Sequence, residues 1–250
     1  PVERVLPHEH FDPLRVADLA SRLKESETLV NPPVVVEWEG YYIVLDGATR
    51  TTAFKQLEYP HIVVQVVSAD DKHLLLHTWY HALCELKPDT LLEALQGEKN
   101  YRLEPSSEGE LADGEISPKA LCSLHLVDGQ YFSVHTTQGV DRLTALNDFV
   151  ADYTKVSRIE RTLNTDRREL ATEVRELAGL VIFPQFAIKE VLWAAVDGQL
   201  LPAGITRFVI PGRVLRLHAE LKSLLADESL GRKNAWLDRL LAAKMARRRV

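Results

Sequence analysis

Cysteine and long apolar runs are both scarce in this 250-residue chain. Its two cysteines, Cys84 and Cys122, do not form a CxxC pair, which argues against a zinc site or a disulfide framework and is typical of a reducing compartment. No segment approaches the roughly 18 apolar residues of a membrane span, and no signal peptide is visible. We therefore expect a cytoplasmic protein. The chain begins at Pro1 rather than at a methionine, which leaves its true N-terminus open.

Positively charged residues are also fewer than negatively charged ones. The chain has 30 Lys and Arg against 36 Asp and Glu, a net charge of −6. A dominant field for nucleic acid is therefore not expected for the chain as a whole, whereas a local basic patch stays open. Hydrophobic residues make up 46% and charged residues 26%, which is ordinary for a globular protein with a buried core. The length predicts one or two domains.

Helix-type and strand-type patterns alternate along the chain without a strict βαβ order. We predict helices directly after His81 and over residues 14–25, 49–57, 87–97, 139–155, 167–179 and 187–198, and from 215 to the end. Asp12-Pro13 is typical of the start of the helix over 14–25, and Gly179 is typical of a helix C-cap. We predict strands over residues 34–38, 41–45, 61–67, 77–81 and 180–186, and a hairpin within 120–135. Glu39-Gly40 is predicted to form a tight hairpin turn between the first two of these strands. The acidic, turn-rich residues 104–117 are interpreted as a loop and a domain boundary. An α+β fold follows.

The stretch "YYIVLDGATRTTAFKQL", residues 41–57, holds the clearest chemical signal. A strand that runs through Asp-Gly into a helix offers free backbone N–H groups and a helix dipole to an anion. Arg50 can clamp phosphate oxygens, and Asp46 can hold Mg²⁺ against them. The predicted phosphate-binding residues are Asp46, Gly47, Ala48, Thr49, Arg50 and Thr51, with Thr52 as a further hydroxyl. The alternative is a plain turn with a threonine cap and a surface arginine.

This stretch, followed by "HIVVQVV", resembles the core motif of the ParB/sulfiredoxin superfamily. Three further stretches, "LPHEHFDPLRV", "HTWYHAL" and "GQLLPAGITRFVIPGRV", resemble the free-serine kinases of that superfamily, in order from about residue 3 to 218. The resemblance implies phosphorylation of L-serine by ATP or ADP with Mg²⁺, giving O-phospho-L-serine, a precursor of cysteine or of the diaminopropionate of some siderophores. It also implies a ParB/sulfiredoxin-like nucleotide-binding domain over 1–103. A second mixed α/β domain over 104–250 would add substrate contacts and end in basic helices.

The resemblance places the general base at Glu9, in "PHEH". A serine hydroxyl that attacks phosphorus needs a group that accepts its proton and aims its oxygen. His10 is carried over as a substrate contact. A metal site built from His8, Glu9 and His10 is disfavoured, because neighbouring side chains on an extended strand point apart. A plain polar loop is the remaining alternative.

The resemblance also assigns substrate contacts to Trp79, Thr206 and Arg207, with Thr78 and His81 as weaker candidates. An arginine fork is the best single group for gripping the carboxylate of a free amino acid. For Trp79 the alternative is core packing. The chain departs from the kinases at Phe208, where a histidine tends to follow the Thr-Arg pair. That departure puts the accepted amino acid in doubt more than the phosphoryl-transfer class.

Two other functions fit parts of the sequence. A nucleotide-responsive DNA-binding regulator of the ParB kind shares the phosphate turn, and a basic tail could contact DNA or a partner, or could simply be a solvated helix end. The tail's cations are Lys244, Arg247, Arg248 and Arg249. The acidic net charge and the lack of a helix-turn-helix pattern count against this function. A sulfiredoxin-like reductase needs a nucleophilic cysteine in the turn, where Ala48 and Thr49 stand. The C-terminal helices could form a homodimer.

Overall fold

The computed structural model describes residues 1–107 and 119–247, with the side chain of Arg247 excepted. Its helices are α1 (Pro13–Ser26), α2 (Ala48–Gln56), α3 (Pro88–Leu95), α4 (Arg142–Thr154), α5 (Arg167–Glu173), α6 (Ile188–Val196), α7 (Leu221–Leu225) and α8 (Leu230–Arg247). Its strands are β1 (Val5–Pro7), β2 (Thr28–Leu29), β3 (Val34–Trp38), β4 (Tyr41–Asp46), β5 (Gln65–Val67), β6 (Leu75–Thr78), β7 (Tyr80–Cys84), β8 (Tyr101–Ser106), β9 (Cys122–Leu126), β10 (Tyr131–Thr136), β11 (Arg158–Thr162), β12 (Leu177–Ile182), β13 (Thr206–Val209) and β14 (Ala219–Glu220). The predicted α+β class is confirmed.

The chain divides into two compact units, and neither is continuous in sequence. Unit 1 comprises Pro1–Leu75, Val191–Gly198 and Phe208–Val250, and unit 2 comprises Leu76–Glu190 and Gln199–Arg207. The predicted domains, 1–103 and 104–250, divide the chain at a different place. The domain boundary between residues 103 and 104 therefore stays a prediction.

A four-stranded mixed sheet organises unit 1, in the order β1-β4-β3-β5. β1 is parallel to β4, β3 is antiparallel to β4, and β5 is parallel to β3. The predicted hairpin between β3 and β4 is confirmed: Glu39 and Gly40 have φ of 47° and 81°, the two positive angles of a two-residue hairpin turn that follows the twist of its strands.

Helices supply the main core of unit 1. The predicted helix α1 begins after Asp12, whose side chain accepts from the N–H of Leu14 at 2.9 Å, with Pro13 in the first turn. Its buried face packs with Phe54 of α2 and with Leu224 of α7. Partly buried side chains of α8 cover the same core, so the predicted C-terminal helices complete this unit.

A six-stranded antiparallel sheet organises unit 2, in the order β11-β7-β12-β9-β10-β8. The predicted helix after His81 is wrong, because residues 80–84 form β7 between β11 and β12. The predicted C-cap at Gly179 is also wrong: Gly179 lies inside β12, where a Cβ would meet the backbone oxygen of His125 at 3.1 Å. The predicted hairpin of β9 and β10 is confirmed.

The acidic stretch 104–117 is a loop only in part. Glu104–Ser106 ends strand β8, which pairs with β10, so the loop prediction is wrong for these residues. The remainder from residue 108 lies outside the described residues. The predicted strand 61–67 shortens to Gln65–Val67. Within the described ranges, no helix is both long and apolar enough to cross a membrane.

Candidate active site

Acidic residues lie at or just beyond the carboxyl ends of two neighbouring parallel strands of unit 1. Pro7 of β1 pairs with Val44 of β4, and Glu9 and Asp46 each follow two positions later. Parallel neighbours lie about 4.8 Å apart and their carboxyl ends meet at one sheet edge. The register therefore brings the predicted base and the predicted Mg²⁺ ligand to the same edge.

The turn after β4 has the geometry of an anion site. Gly47 is the N-cap of α2 with φ 100° and ψ 28°, and no side chain caps the helix. The helix's first backbone N–H groups therefore lack a side-chain acceptor, at the positive end of the helix dipole. Thr51 is buried, and its hydroxyl has no hydrogen-bond partner among the described residues. Ala48 and Thr49 lie half-buried in the first turn.

Asp46 is shared by two guanidinium groups. Its Oδ2 accepts from Nη2 of Arg50 at 2.6 Å and also from Nη2 of Arg213. Arg213 was not among the predicted site residues, because 167 positions separate it from Asp46. The signal that could have found it is its place in "GQLLPAGITRFVIPGRV", one of the stretches that carry the family resemblance.

Arg50 is held by the protein itself. Its Nη1 donates to the carbonyl oxygens of Asn31 at 2.6 Å and Pro32 at 3.2 Å, while Nη2 binds Asp46. These contacts fix the preceding loop to the turn. They leave Arg213, with a 39% exposed side chain, as the freer guanidinium at this carboxylate.

Glu9 lies beside a buried histidine. Nε2 of His8 is 3.8 Å from Oε1 of Glu9, and the two side chains are 5% and 15% exposed. His8 Nδ1 contacts the carbonyl oxygen of Val44, so that nitrogen carries the proton. The ring of Phe208 meets His8 edge-on at 5.4 Å. His10, the histidine predicted to contact substrate, is exposed.

The acidic and imidazole side chains do not build a preformed metal cage. No group of three or more His, Cys, Asp or Glu suited to a metal occurs in the described part of the chain. Mg²⁺ on a nucleotide needs only one or two protein carboxylates, since phosphates and water complete its shell. Both arginines donate to Oδ2 of Asp46, and Oδ1 accepts a hydrogen bond from neither of them. This donor set fits a metal that arrives with the nucleotide.

In unit 2, Trp79 and Arg207 are in contact. The guanidinium carbon of Arg207 stands 5.2 Å from the centre of the Trp79 ring, a cation–π distance. The backbone N–H of Trp79 donates to the carbonyl oxygen of Ile205 at 2.7 Å, which fixes the chain next to Thr206. Trp79, Thr206 and Arg207 are all half-buried rather than core residues. Part of each residue is therefore accessible to solvent.

The two weaker candidates of unit 2 are buried. His81 Nδ1 lies 2.7 Å from the hydroxyl of Tyr153, and Nε2 lies 3.3 Å from the carbonyl oxygen of Gly204. Burial lowers the pKa of His81 to about 4, so the ring is neutral at pH 7. Thr78 contacts the carbonyl oxygen of Pro184 at 3.1 Å. Both side chains form hydrogen bonds within the protein.

Comparisons with known proteins give two similar curated relatives. The chain is 26% identical over 250 residues to the ATP-dependent L-serine kinase SbnI of Staphylococcus aureus, covering 100% of this chain and 91% of that one. It is 26% identical over 181 residues to the ATP-dependent L-serine kinase of Staphylothermus marinus, covering 61% and 71%. No family model matches the chain.

Solved structures show the same fold. SbnI with a C-terminal truncation from Staphylococcus aureus superposes with a TM-score of 0.76 at 24% identity, covering 98% of this chain and 95% of that one. A free serine kinase in complex with AMP superposes with a TM-score of 0.74 at 19% identity, covering 89% and 91%. Another complex of a free serine kinase, with ADP, gives 0.75 at 17% identity, with coverage of 89% and 91%. The resemblance to free L-serine kinases is confirmed.

Proposed function

We propose that this chain is a kinase that transfers a phosphoryl group from ATP to the hydroxyl of free L-serine. The observation that carries the proposal is the shared sheet edge of unit 1, where Glu9 and Asp46 follow paired residues of parallel strands. The alignment with a named ATP-dependent L-serine kinase over all 250 residues supports it. Those names favour ATP over ADP as donor.

Glu9 is proposed as the general base. Its carboxylate takes the proton of the serine hydroxyl as the serine oxygen bonds to the γ-phosphorus, while the bond from that phosphorus to the β–γ bridging oxygen breaks and ADP leaves with the electron pair. His8 donates through Nδ1 to a backbone carbonyl, which fixes its ring beside Glu9. A fixed, mostly buried carboxylate suits proton transfer, because aim matters as much as basicity.

The turn at Asp46 is proposed to bind the nucleotide phosphates. The uncapped N–H groups of α2 would donate to phosphate oxygens, and Arg213 would add a second source of positive charge. We expect Arg50 to keep the turn in shape through Asn31 and Pro32, with fewer donors left for phosphate than the sequence suggested. Asp46 would hold Mg²⁺, which neutralises phosphate charge when bound.

The contacts to serine proposed for Trp79, Thr206 and Arg207 rest on the arrangement within unit 2. Arg207 is the carboxylate fork, and the Trp79 ring orients its guanidinium by stacking. Phe208 stands where the resembling kinases tend to carry a histidine, and its ring contacts His8 instead of offering a hydrogen bond. Exposed His10 is a weaker contact candidate than its neighbours.

A ParB/sulfiredoxin-like ancestry, a cytoplasmic location and a homodimer are parts of the same proposal. They rest on the motif of residues 41–57, on the sparse cysteine and on the C-terminal helices. The alternative of a DNA-binding regulator is not favoured, since both curated relatives are named as kinases. Lys244 of the basic tail donates to the carbonyl oxygen of Arg216 at 3.2 Å, and Arg248 and Arg249 lie outside the described residues.

The test of Glu9 is a Glu9→Gln variant beside a matched control, Glu3→Gln. Glu3 is exposed in the short 3-10 helix before β1, so its variant should keep full turnover. Loss of a general base should lower kcat by roughly 10²–10⁴-fold, with the affinity for ATP unchanged in a separate binding assay. Full turnover by Glu9→Gln would remove Glu9 from the mechanism.

A further inference from the structure

Lys233 of α8 is a buried cation that forms no ion pair with a carboxylate among the described residues. The residue is 5% exposed. Its Nζ donates to the carbonyl oxygen of Leu224 at 2.6 Å, at the end of α7, and lies 3.1 Å from Nδ1 of His61. Among the described residues, no carboxylate oxygen pairs with this ammonium within 4.0 Å. An ammonium has three N–H donors, so one is left over.

Lys233 lines a cavity of about 230 Å³ whose lining residues all belong to unit 1. Its polar members include Lys233 and His61, while Ile62, Val64 and Leu237 form part of a largely apolar wall. A cavity of about 150 Å³ is enough for benzene. The space beside Lys233 therefore has room for a ring or a branched chain of that size with one carboxylate.

The electrostatics of the cavity favour an anion. Burial lowers the pKa of Lys233, and the charges of Glu228 and Asp227 offset part of that effect. Burial and the charge of Lys233 both lower the pKa of His61. Lys233 therefore disfavours the charged form of His61, and a buried charge such as that of Lys233 is costly until it is paired. A carboxylate on the free N–H of Lys233 would supply that pair.

We propose that the cavity beside Lys233 binds a small monocarboxylate with an aromatic or branched apolar body. The carboxylate accepts a hydrogen bond from Nζ of Lys233, and the apolar body lies against Ile62, Val64 and Leu237. This site is separate in its residues from the proposed phosphate turn. It does not depend on the proposed kinase activity.

The test is a fluorine NMR titration of the full chain, without nucleotide or serine, using 4-fluorobenzoate and the neutral 4-fluorobenzamide. The two probes have nearly the same shape and differ in charge. A charge-assisted hydrogen bond predicts that the amide binds roughly tenfold to hundredfold more weakly than the acid. Equal Kd values for the two probes, or no binding of the acid at about 5 mM, would overturn the proposal.

Variants locate the site. Lys233→Met should weaken 4-fluorobenzoate binding by at least roughly tenfold, whereas Lys24→Met, at an exposed position of α1, should leave Kd unchanged. If Lys233→Met does not fold, Lys233→Gln takes its place. Unchanged affinity in a folded Lys233 variant would show that the probe binds elsewhere, and the proposal would be wrong.

Discussion

Replacing Gly47 by alanine tests how the phosphate turn is built. Gly47 has a φ of 100°, and a Cβ there would lie 3.0 Å from the guanidinium carbon of Arg50 and 3.1 Å from Cα of Pro33. An alanine in left-handed backbone costs about 1–2 kcal/mol, and crowding of a packed site adds about 1–3 kcal/mol. Arg50 cannot swing away freely, because it would lose its bonds to Asn31 and Pro32.

Gly40 provides the matched control. It has a φ of 81° in the β3–β4 turn, and a Cβ there would meet nothing within 4 Å. We expect Gly40→Ala to lower the free energy of unfolding by the backbone cost alone, about 1–2 kcal/mol, and Gly47→Ala to lower it by about 3 kcal/mol. Urea denaturation followed by circular dichroism measures both values.

The difference in the free energy of unfolding between the two variants measures the crowding around Gly47. In an Arg50→Ala background, the crowding by Arg50 should be relieved while that by Pro33 stays, so the added cost of Gly47→Ala should fall by about 1 kcal/mol. If Gly47→Ala and Gly40→Ala agree within about 0.5 kcal/mol, the turn is not tightly packed around Arg50. The structural role given to Arg50 would then be wrong.

Three further outcomes are expected. Arg213→Ala should raise KM for ATP roughly tenfold with a smaller effect on KM for serine, and the reverse pattern in steady-state kinetics would contradict its phosphate role. Arg207→Lys keeps the positive charge but loses the two-pronged guanidinium, so KM for serine should rise roughly tenfold while KM for ATP stays the same. An unchanged KM for serine would contradict the proposed contact between Arg207 and the serine carboxylate. Burial lowers the pKa of His81 to about 4 from 6.5, so the unfolded chain binds its proton first as pH falls. The contribution of neutral His81 to the free energy of unfolding is complete above about pH 6.5 and is lost toward pH 4. Lowering the pH from 7 to 5 reduces the free energy of unfolding by about 2 kcal/mol through this residue. His81→Gln should flatten the pH dependence of urea unfolding by that amount, and an unaltered slope would exclude a buried neutral His81.

Local signals predicted much of unit 1. The two-residue turn at Glu39 and Gly40 fixed the β3–β4 pairing, and Asp12 with Pro13 marked the start of α1. The strand–Asp-Gly–helix pattern located the turn at Asp46. All of these depend on interactions between residues close together in sequence, which is why pattern reading succeeded there.

The errors arose where distant packing decides the structure. Residues 82–84 are apolar and almost fully buried, and a short buried run does not distinguish a helix from a central strand. Gly179 is typical of a helix C-cap, yet in β12 it permits close approach of β9. Arg213 reaches Asp46 across 167 positions, and no local pattern contains that contact.

Phosphorus NMR of the purified protein with L-serine, Mg²⁺ and ATP tests the central claim most directly, with ADP in a parallel sample. The account predicts an O-phosphoserine resonance that grows with ATP, in step with the loss of the γ-phosphorus signal, and that is absent without L-serine. No O-phosphoserine with either donor, in a sample where nucleotide binding is demonstrated separately, would contradict the assignment of this chain as a free-serine kinase.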